Sequence, residues 1–410
     1  MPPLSEKLKG YKPKPRRKGP LWEGPSGEGP NGGITFSLLS RFLTCRERFR
    51  LYAVEGLRPN ETFNNRIEYG NMWHLCEEAL ASGMESVHGP YWDVALRAYC
   101  LDLCRKYPFS QEQIRHWENV CRIQFPVYVD YWKKHEERVE KTCLLQEQVF
   151  DVPYTLPSGR VVRLRGKWDG VNQLGKGKNA ELRLFETKTK GDVDIAQIQR
   201  QLTFDLQTML YTVALTEGTC PTCRGNWTKE KAAFLDESES SCPNCSGNWT
   251  APFVPANQWK PRKGFPDTPI RGVEYNVVRR PLSGGKGTIR QKQGETSAEY
   301  YDRLAQYIED EPETYFFRFK ADITPRDVEN FKRKCLNPML EQLCQWWAWV
   351  EQCHRLGDDP FGAGNEIHST HPMGVRNILD EGGSTDLDAM VMNGDRTGLT
   401  EVDTLFRELN

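Results

Sequence analysis

The chain has 410 residues, 38% of them hydrophobic, with 12 Trp and 15 Tyr, enough for one large domain with insertions or for two domains. A formal charge of −1 excludes a uniformly basic protein, so any nucleic-acid surface must be local. The sequence has no apolar run of about 18 residues and no apolar N-terminal signal core, which points to a soluble cytoplasmic protein with no membrane partner. The 13 cysteines are odd in number and mostly scattered singly, which fits reduced thiols and one metal site better than a disulfide framework.

Residues 1–33 are rich in Pro, Gly and Lys ("YKPKPRRKGP", "GPSGEGPNGG") and lack periodicity. They read as a disordered tail, solvated or acting as a weak DNA-steering arm. Ordered text begins at "ITFSLLSRFLTCRERFRLYAV", where Ser37 is placed to cap a helix carrying Leu38, Phe42, Phe49 and Tyr52. Helical patterns follow over roughly 62–84, 91–106 and 110–138, so 34–140 is a helical N-terminal part.

From residue 141 the pattern changes. "LLQEQVFDVPYTL", "RVVRLRGKWDGV" and "LRLFETKTK" have strand lengths, with turns at "PSG" and "GKGKN", and a helix is expected over about 195–216. Residues 141–217 therefore form an α/β core under a helical cover. Beyond an interruption at 218–252, residues 253–410 return to the core. "GVEYNVVRR" and "YFFRFKADI" read as strands, helices are expected near 296–310 and 324–355, and a Gly/Asp-rich end has no assignable element.

The interruption is a repeat. "CPTCRGNWT" recurs as "CPNCSGNWT", giving C-x2-C-x18-C-x2-C through Cys220, Cys223, Cys242 and Cys245. Two such knuckles close a tetrahedral thiolate site for structural zinc, with no open position for catalysis. The ribbon either staples an insertion or contacts DNA or a partner.

"FETKTK" carries the chemistry. Strand alternation sends Glu186 and Lys188 to one face, and Asp169 of "GKWDGV" joins them if the two strands pair. Two carboxylates and an ammonium at a sheet end can hold Mg or Mn while the lysine positions or deprotonates water. Taken alone, Glu-x-Lys reads as an exposed strand with a local ion pair rather than as a metal site. Gln207 and Tyr211 are four apart on one helical face. His74 stands four residues after Gly70 in "EYGNMWHLCEEAL"; a lone helical histidine is packed or solvated more often than it is a ligand.

In order, Gly70/His74, Gly166/Asp169, Glu186/Lys188 and Gln207/Tyr211 resemble the G-x3-H, G-x-x-D, D/E-x-K and Q-x3-Y motifs of the PD-(D/E)XK nuclease superfamily, in its RecB-type, phage-like exonuclease branch. The resemblance implies a restriction-endonuclease-like fold, in which helices flank a mixed central sheet, and a Mg- or Mn-dependent DNA nuclease. An exonuclease is favoured over a structure-selective endonuclease or a non-catalytic DNA-binding adaptor. It further implies Asp169, Glu186 and His74 as metal ligands, Lys188 as the water-activating residue, and Gln207 and Tyr211 on the DNA side. Lys190 reads as meeting phosphate or solvent, and Glu147 as a strand-surface residue rather than a support for the site. DNA recombination or repair, in a bacterial or phage-infected cell and beside an annealing protein or helicase, is the implied setting. Many relatives hold an iron–sulfur cluster between an early cysteine and a C-terminal cysteine set. The early "SLLSRFLTC" motif, with Cys45, is present, but no cysteine follows Cys353, so no iron–sulfur cluster is expected. The C-terminal tail is then expected to clasp the N-terminal helix by packing alone.

Overall fold

The computed structural model describes residues 19–44, 46–59, 62–135, 141–176, 180–216, 270–281, 289–356 and 399–409. The zinc-ribbon cysteines Cys220, Cys223, Cys242 and Cys245, and Cys45, lie outside the described residues.

A five-stranded mixed sheet organises the molecule. Its strands are β2 (Lys141–Thr155), β3 (Val161–Leu174), β4 (Glu181–Lys190), β5 (Ile270–Arg279) and β6 (Phe316–Asp322), in the order β2-β3-β4-β5-β6. Only β4 and β5 run parallel. The β2–β3 hairpin closes where Gly159, at φ +81°, lets its N–H reach the Leu156 carbonyl at 2.8 Å. A parallel pair needs a long crossover, and among the described residues the β4–β5 connection contains two helices, α5 (Ile195–Leu202) and α6 (Leu206–Thr216). The single helix expected at 195–216 is broken because Asp205 caps a new start. Its Oδ2 accepts from the Thr208 N–H at 3.3 Å and its carbonyl from Met209 at 2.9 Å.

Helices cover both faces. On one side α1 (Phe36–Thr44), α6, α8 (Pro325–Phe331) and α9 (Asn337–Leu356) bury Leu39, Leu210, Val328 and Leu343 against Phe150, Leu164 and Val273 of the sheet. On the other, α2 (Asn65–Ala81), α3 (Tyr91–Lys106), α4 (Gln111–His135) and α7 (Ser297–Asp310) form an aromatic layer with Trp73, Trp117, Phe125 and Tyr300 against Val278 and Phe316. This is the helix-flanked mixed sheet expected from the sequence. The start of α1 differs in detail: Ser37 lies inside the helix, and Thr35 Oγ1 accepts from the Leu38 N–H at 3.2 Å.

The largest departure concerns the segment expected to be a tail. Residues 19–33 are packed: Trp22 is fully buried, donates from Nε1 to the Gly33 carbonyl at 2.8 Å, and meets the Phe49 and Trp347 rings edge-on. Arg163 binds the carbonyls of Gly27 and Gly29, and Arg165 those of Pro30 (2.8 Å) and Gly32 (3.1 Å). Arginines on β3 thus satisfy the backbone of a Gly/Pro-rich loop that has no pairing pattern of its own. The C-terminus closes over the same region. Strand β7 (Leu399–Glu401) pairs antiparallel with β1 (Leu57–Pro59), Asn31 Oδ1 accepts from the Leu405 N–H at 2.8 Å, and Phe406 is buried with the Arg165 guanidinium 4.9 Å from its ring centroid. The clasp differs from the expected one: strand pairing with β1 and a hydrogen bond to the Asn31 side chain, not packing against the N-terminal helix alone, tie down the end of the chain.

Candidate active site

The strand register builds a row of acids. Gln146 pairs with Gly170 and Gln148 with Trp168, which sets Glu147 opposite Asp169. Gly170 pairs with Phe185, so Asp169 stands opposite Glu186, where the β3–β4 ladder has just ended. The acids of three neighbouring strands therefore meet at the fork where β3 and β4 part. Asp169 is interior to β3, not at its end as expected from the sequence.

Helix α2 closes the row from above. Its approach depends on Gly70, where a Cβ would stand only 3.3 Å from Thr189 Oγ1. One turn later His74 places Nδ1 3.3 Å from Glu147 Oε1 and 3.8 Å from Asp169 Oδ2. One ligand atom each from His74, Glu147 and Asp169 lie within 4.8 Å of one another. Lys167 Nζ holds the other Glu147 oxygen at 2.5 Å, and the Thr187 N–H holds Asp169 Oδ2 at 2.9 Å. Glu147 itself takes a left-handed backbone, φ +47°, which is costly for a glutamate and keeps it aimed into the row.

A second group stands beside this trio. Lys188 Nζ is 2.5 Å from Glu186 Oε1 and 2.6 Å from Gln207 Oε1. Tyr211, four residues along α6, lies beside the Gln207 side chain and the Lys167 backbone. The Tyr211 ring fits because position 166 is glycine: a Cβ there would stand 3.2 Å from Tyr211 Cε1 and 2.5 Å from Phe150 Cζ. Tyr211 is buried, so it braces Gln207 from behind and does not face solvent on a DNA side. Lys190 is half-buried two residues beyond Lys188.

The charges are strongly coupled. Burial would lower the His74 imidazole, but Asp169, then Glu147, outweigh it and raise it to about 10. Burial would raise Glu147; its contacts with His74 and Lys167 hold it below the usual range. Burial, with Glu147 adding repulsion, lifts Asp169, and burial with Asp169 beside it pushes Glu186 up to about 7. Burial would lower Lys188, but Glu186 keeps it above its ordinary value, so it is an ammonium at neutral pH.

The donor set suits a hard cation. Glu147 Oε1 is buried and meets no donor with hydrogen-bond geometry, although His74 Nδ1 is nearby. An imidazole and two carboxylates would supply nitrogen and oxygen ligands to Mg or Mn, and their mutual repulsion is what a divalent charge relieves. The profile of the PD-(D/E)XK nuclease superfamily matches residues 34–353. The chain belongs to that superfamily. Membership points to a nuclease hydrolase acting on DNA, and relatives of this kind generally use Mg or Mn. A comparison with curated proteins found no match.

Asp169, Glu186 and Lys188, the set expected from the sequence, are thus brought together, with His74 and Gln207 in contact with them. Glu147 overturns the surface reading: its side chain is only 6% exposed. Its place depends on the β2–β3 register, which "QEQVF" does not reveal by itself. A further layer also escaped the sequence. Asn276 is fully buried and donates to Thr187 Oγ1 (3.1 Å), Glu77 Oε1 (3.0 Å) and Tyr128 Oη (2.9 Å), holding the strand that carries Thr187. A single asparagine in "VEYNVV" gives no sign of this. Among the described residues, no helix is long and apolar enough to cross a membrane.

Proposed function

We propose that the protein is a Mg- or Mn-dependent deoxyribonuclease of the RecB-type branch, cutting DNA from its ends. The observation that supports this most is the convergence of His74, Glu147 and Asp169 within 4.8 Å, beside a lysine held between Glu186 and Gln207.

In this reading His74, Glu147 and Asp169 hold the divalent cation, and Glu186 faces it from the opposite strand. The cation supplies Lewis-acid polarisation of a phosphoryl oxygen and a lowered pKa for water. Lys188 keeps one of its three donors beyond Glu186 and Gln207, and that donor orients the attacking water or a scissile phosphate oxygen. Because Lys188 is an ammonium, its part is orientation and charge stabilisation rather than proton abstraction. The Glu186 carboxyl, poised near neutrality, is the group placed to take the water proton.

The thiols of Cys220, Cys223, Cys242 and Cys245 are proposed to hold a structural zinc, as four thiolates close a tetrahedral shell. A role in recombination or repair, or in phage DNA processing, beside an annealing protein or helicase belongs to the same proposal.

The test compares wild type with Lys188→Ala on end-labelled linear and closed-circular DNA, with Mg, Mn or chelator. Metal-dependent loss of linear DNA alone supports end-directed cleavage. Nicked circles support an endonuclease instead, and equal activity in the variant removes Lys188 from the chemistry.

A further inference from the structure

Buried arginines in this fold are matched by acids. Arg163 pairs with Asp151, and Arg183 with Glu181 and with Asp322 at 2.6 Å. Arg280 is different. It is only 6% exposed, its Nε is buried without a hydrogen-bond partner, and no carboxylate of the described residues lies within ion-pair distance. Unpaired charge is costly to bury, so a site that keeps one has a counter-charge to receive.

Its position is fixed and close to the chemistry. The Arg280 N–H donates to the Lys190 carbonyl at 2.7 Å, and the preceding Arg279 N–H donates to Tyr315 at 2.8 Å, so two neighbouring elements anchor the turn out of β5. Lys190 lies two residues past Lys188 on the same strand face, a separation of about 7 Å. Neighbouring phosphates of one DNA strand are about that far apart, because the backbone winds around the axis as it rises. Lys190 has no hydrogen-bond or ion-pair partner for its ammonium among the described residues, and exposed Arg66 at the start of α2 adds a third cation, near enough to repel Arg280. Burial, then Arg66, draws the Arg280 guanidinium below its ordinary value, the signature of a cluster with too little negative charge.

We propose that Arg280, with Lys190 and Arg66, binds a phosphate of the DNA strand neighbouring the scissile one. The inference rests on the nuclease reading and adds a substrate-positioning subsite to it. The planar guanidinium can take two phosphate oxygens at once, and Lys190 contributes a point charge from the neighbouring strand. The phosphate is either an internal diester or the monoester of a strand end; both present the same oxygens.

The test uses Arg280→Gln in the full chain, in three measurements. First, inorganic phosphate is titrated while Tm is followed: the wild type is stabilised saturably and the variant is not. Second, DNA affinity is measured with Ca in place of Mg. The variant binds about 10-fold more weakly, and the slope of log Kd against log salt falls by about 1. Substrates with and without 5′ or 3′ terminal phosphates locate the source, because a monoester site discriminates between them and a diester site does not. Third, Tm without ligand stays level or rises in Arg280→Gln, since an unmatched charge has been removed. A fall in Tm with DNA and phosphate binding unchanged overturns the proposal and makes Arg280 structural. If wild type cleaves DNA and the variant binds it equally well, the subsite is wrong and the nuclease reading stands. If wild type cleaves nothing, the phosphate titration still decides the subsite.

Discussion

The Thr187 N–H lies 2.9 Å from Asp169 Oδ2, so the strand that carries Glu186 and Lys188 also fixes the acid on its neighbour. Asp169 is therefore oriented by backbone rather than by a mobile side chain. The fork in the sheet, where β3–β4 pairing ends at Gly170 and Phe185, is what frees that N–H to turn toward the carboxylate. The geometry of this acidic row is a consequence of where a ladder stops.

Glu147 tests this arrangement most directly. Glu147→Gln keeps the shape but removes a charge from the trio, and its partners His74 and Lys167 lose their counter-ion. The variant is expected to need about 10–100-fold more Mg for half-maximal DNA cleavage. Mg titrations of initial rate measure this. A variant with the wild-type Mg requirement would remove Glu147 from the cation site.

Much of this site can be read from sequence, and the limits follow from distance. Glu186 and Lys188 are legible because two residues in one strand must share a face, and Leu184-Phe185 shows that the strand is buried. Gln207 and Tyr211 follow from helical periodicity, although only the packing at Gly166 reveals that Tyr211 lies behind the site. Glu147 is illegible because its role comes from cross-strand register and a left-handed backbone that glutamate does not favour. Trp22 and Asn31 sit in text that has the composition of a tail. Their order comes from Arg163, Arg165 and Leu405, far away in the chain, and composition carries no record of such partners.

Asn276 is expected to matter for stability. Its amide reaches Glu77, Tyr128 and Thr187, and its Oδ1 accepts from Arg318 Nε at 3.3 Å. Asn276→Ala leaves these buried groups short of partners, at a cost of about 1–3 kcal/mol. The shift in urea midpoint at constant m-value gives the number. Unchanged stability would show that the network is rearranged without loss.

The C-terminal clasp makes a separate prediction. Phe406 is buried against Arg165, on the same strand as Asp169, and β7 pairs with β1. Phe406→Ala is expected to cost about 3–5 kcal/mol, and removing residues 399–410 at least as much. Chemical denaturation of both variants checks it. A truncated protein as stable as the full chain would mean that the clasp contributes no net stabilisation.

The site's charges also set a pH dependence. Burial, then Asp169, pushes the Glu186 carboxyl up to about 7, above the ordinary value of about 4.3. A group whose pKa rises on folding stabilises the fold below its unfolded value, and that contribution is lost as pH climbs through the folded value. Metal-free protein should therefore lose stability from about pH 4.5 to pH 7 through Glu186. His74, raised to about 10 by Asp169 and Glu147 against burial, acts in the same sense at higher pH. A divalent cation takes the place of these protons, so its binding releases them and strengthens as pH rises. The increase in Tm on adding Mg should accordingly be larger at about pH 8 than at about pH 6, and Asp169→Asn should abolish most of the difference. Calorimetric scans at the two pH values with and without Mg measure it. A Mg-induced shift that is equal at both would mean that the cation binds away from these carboxylates.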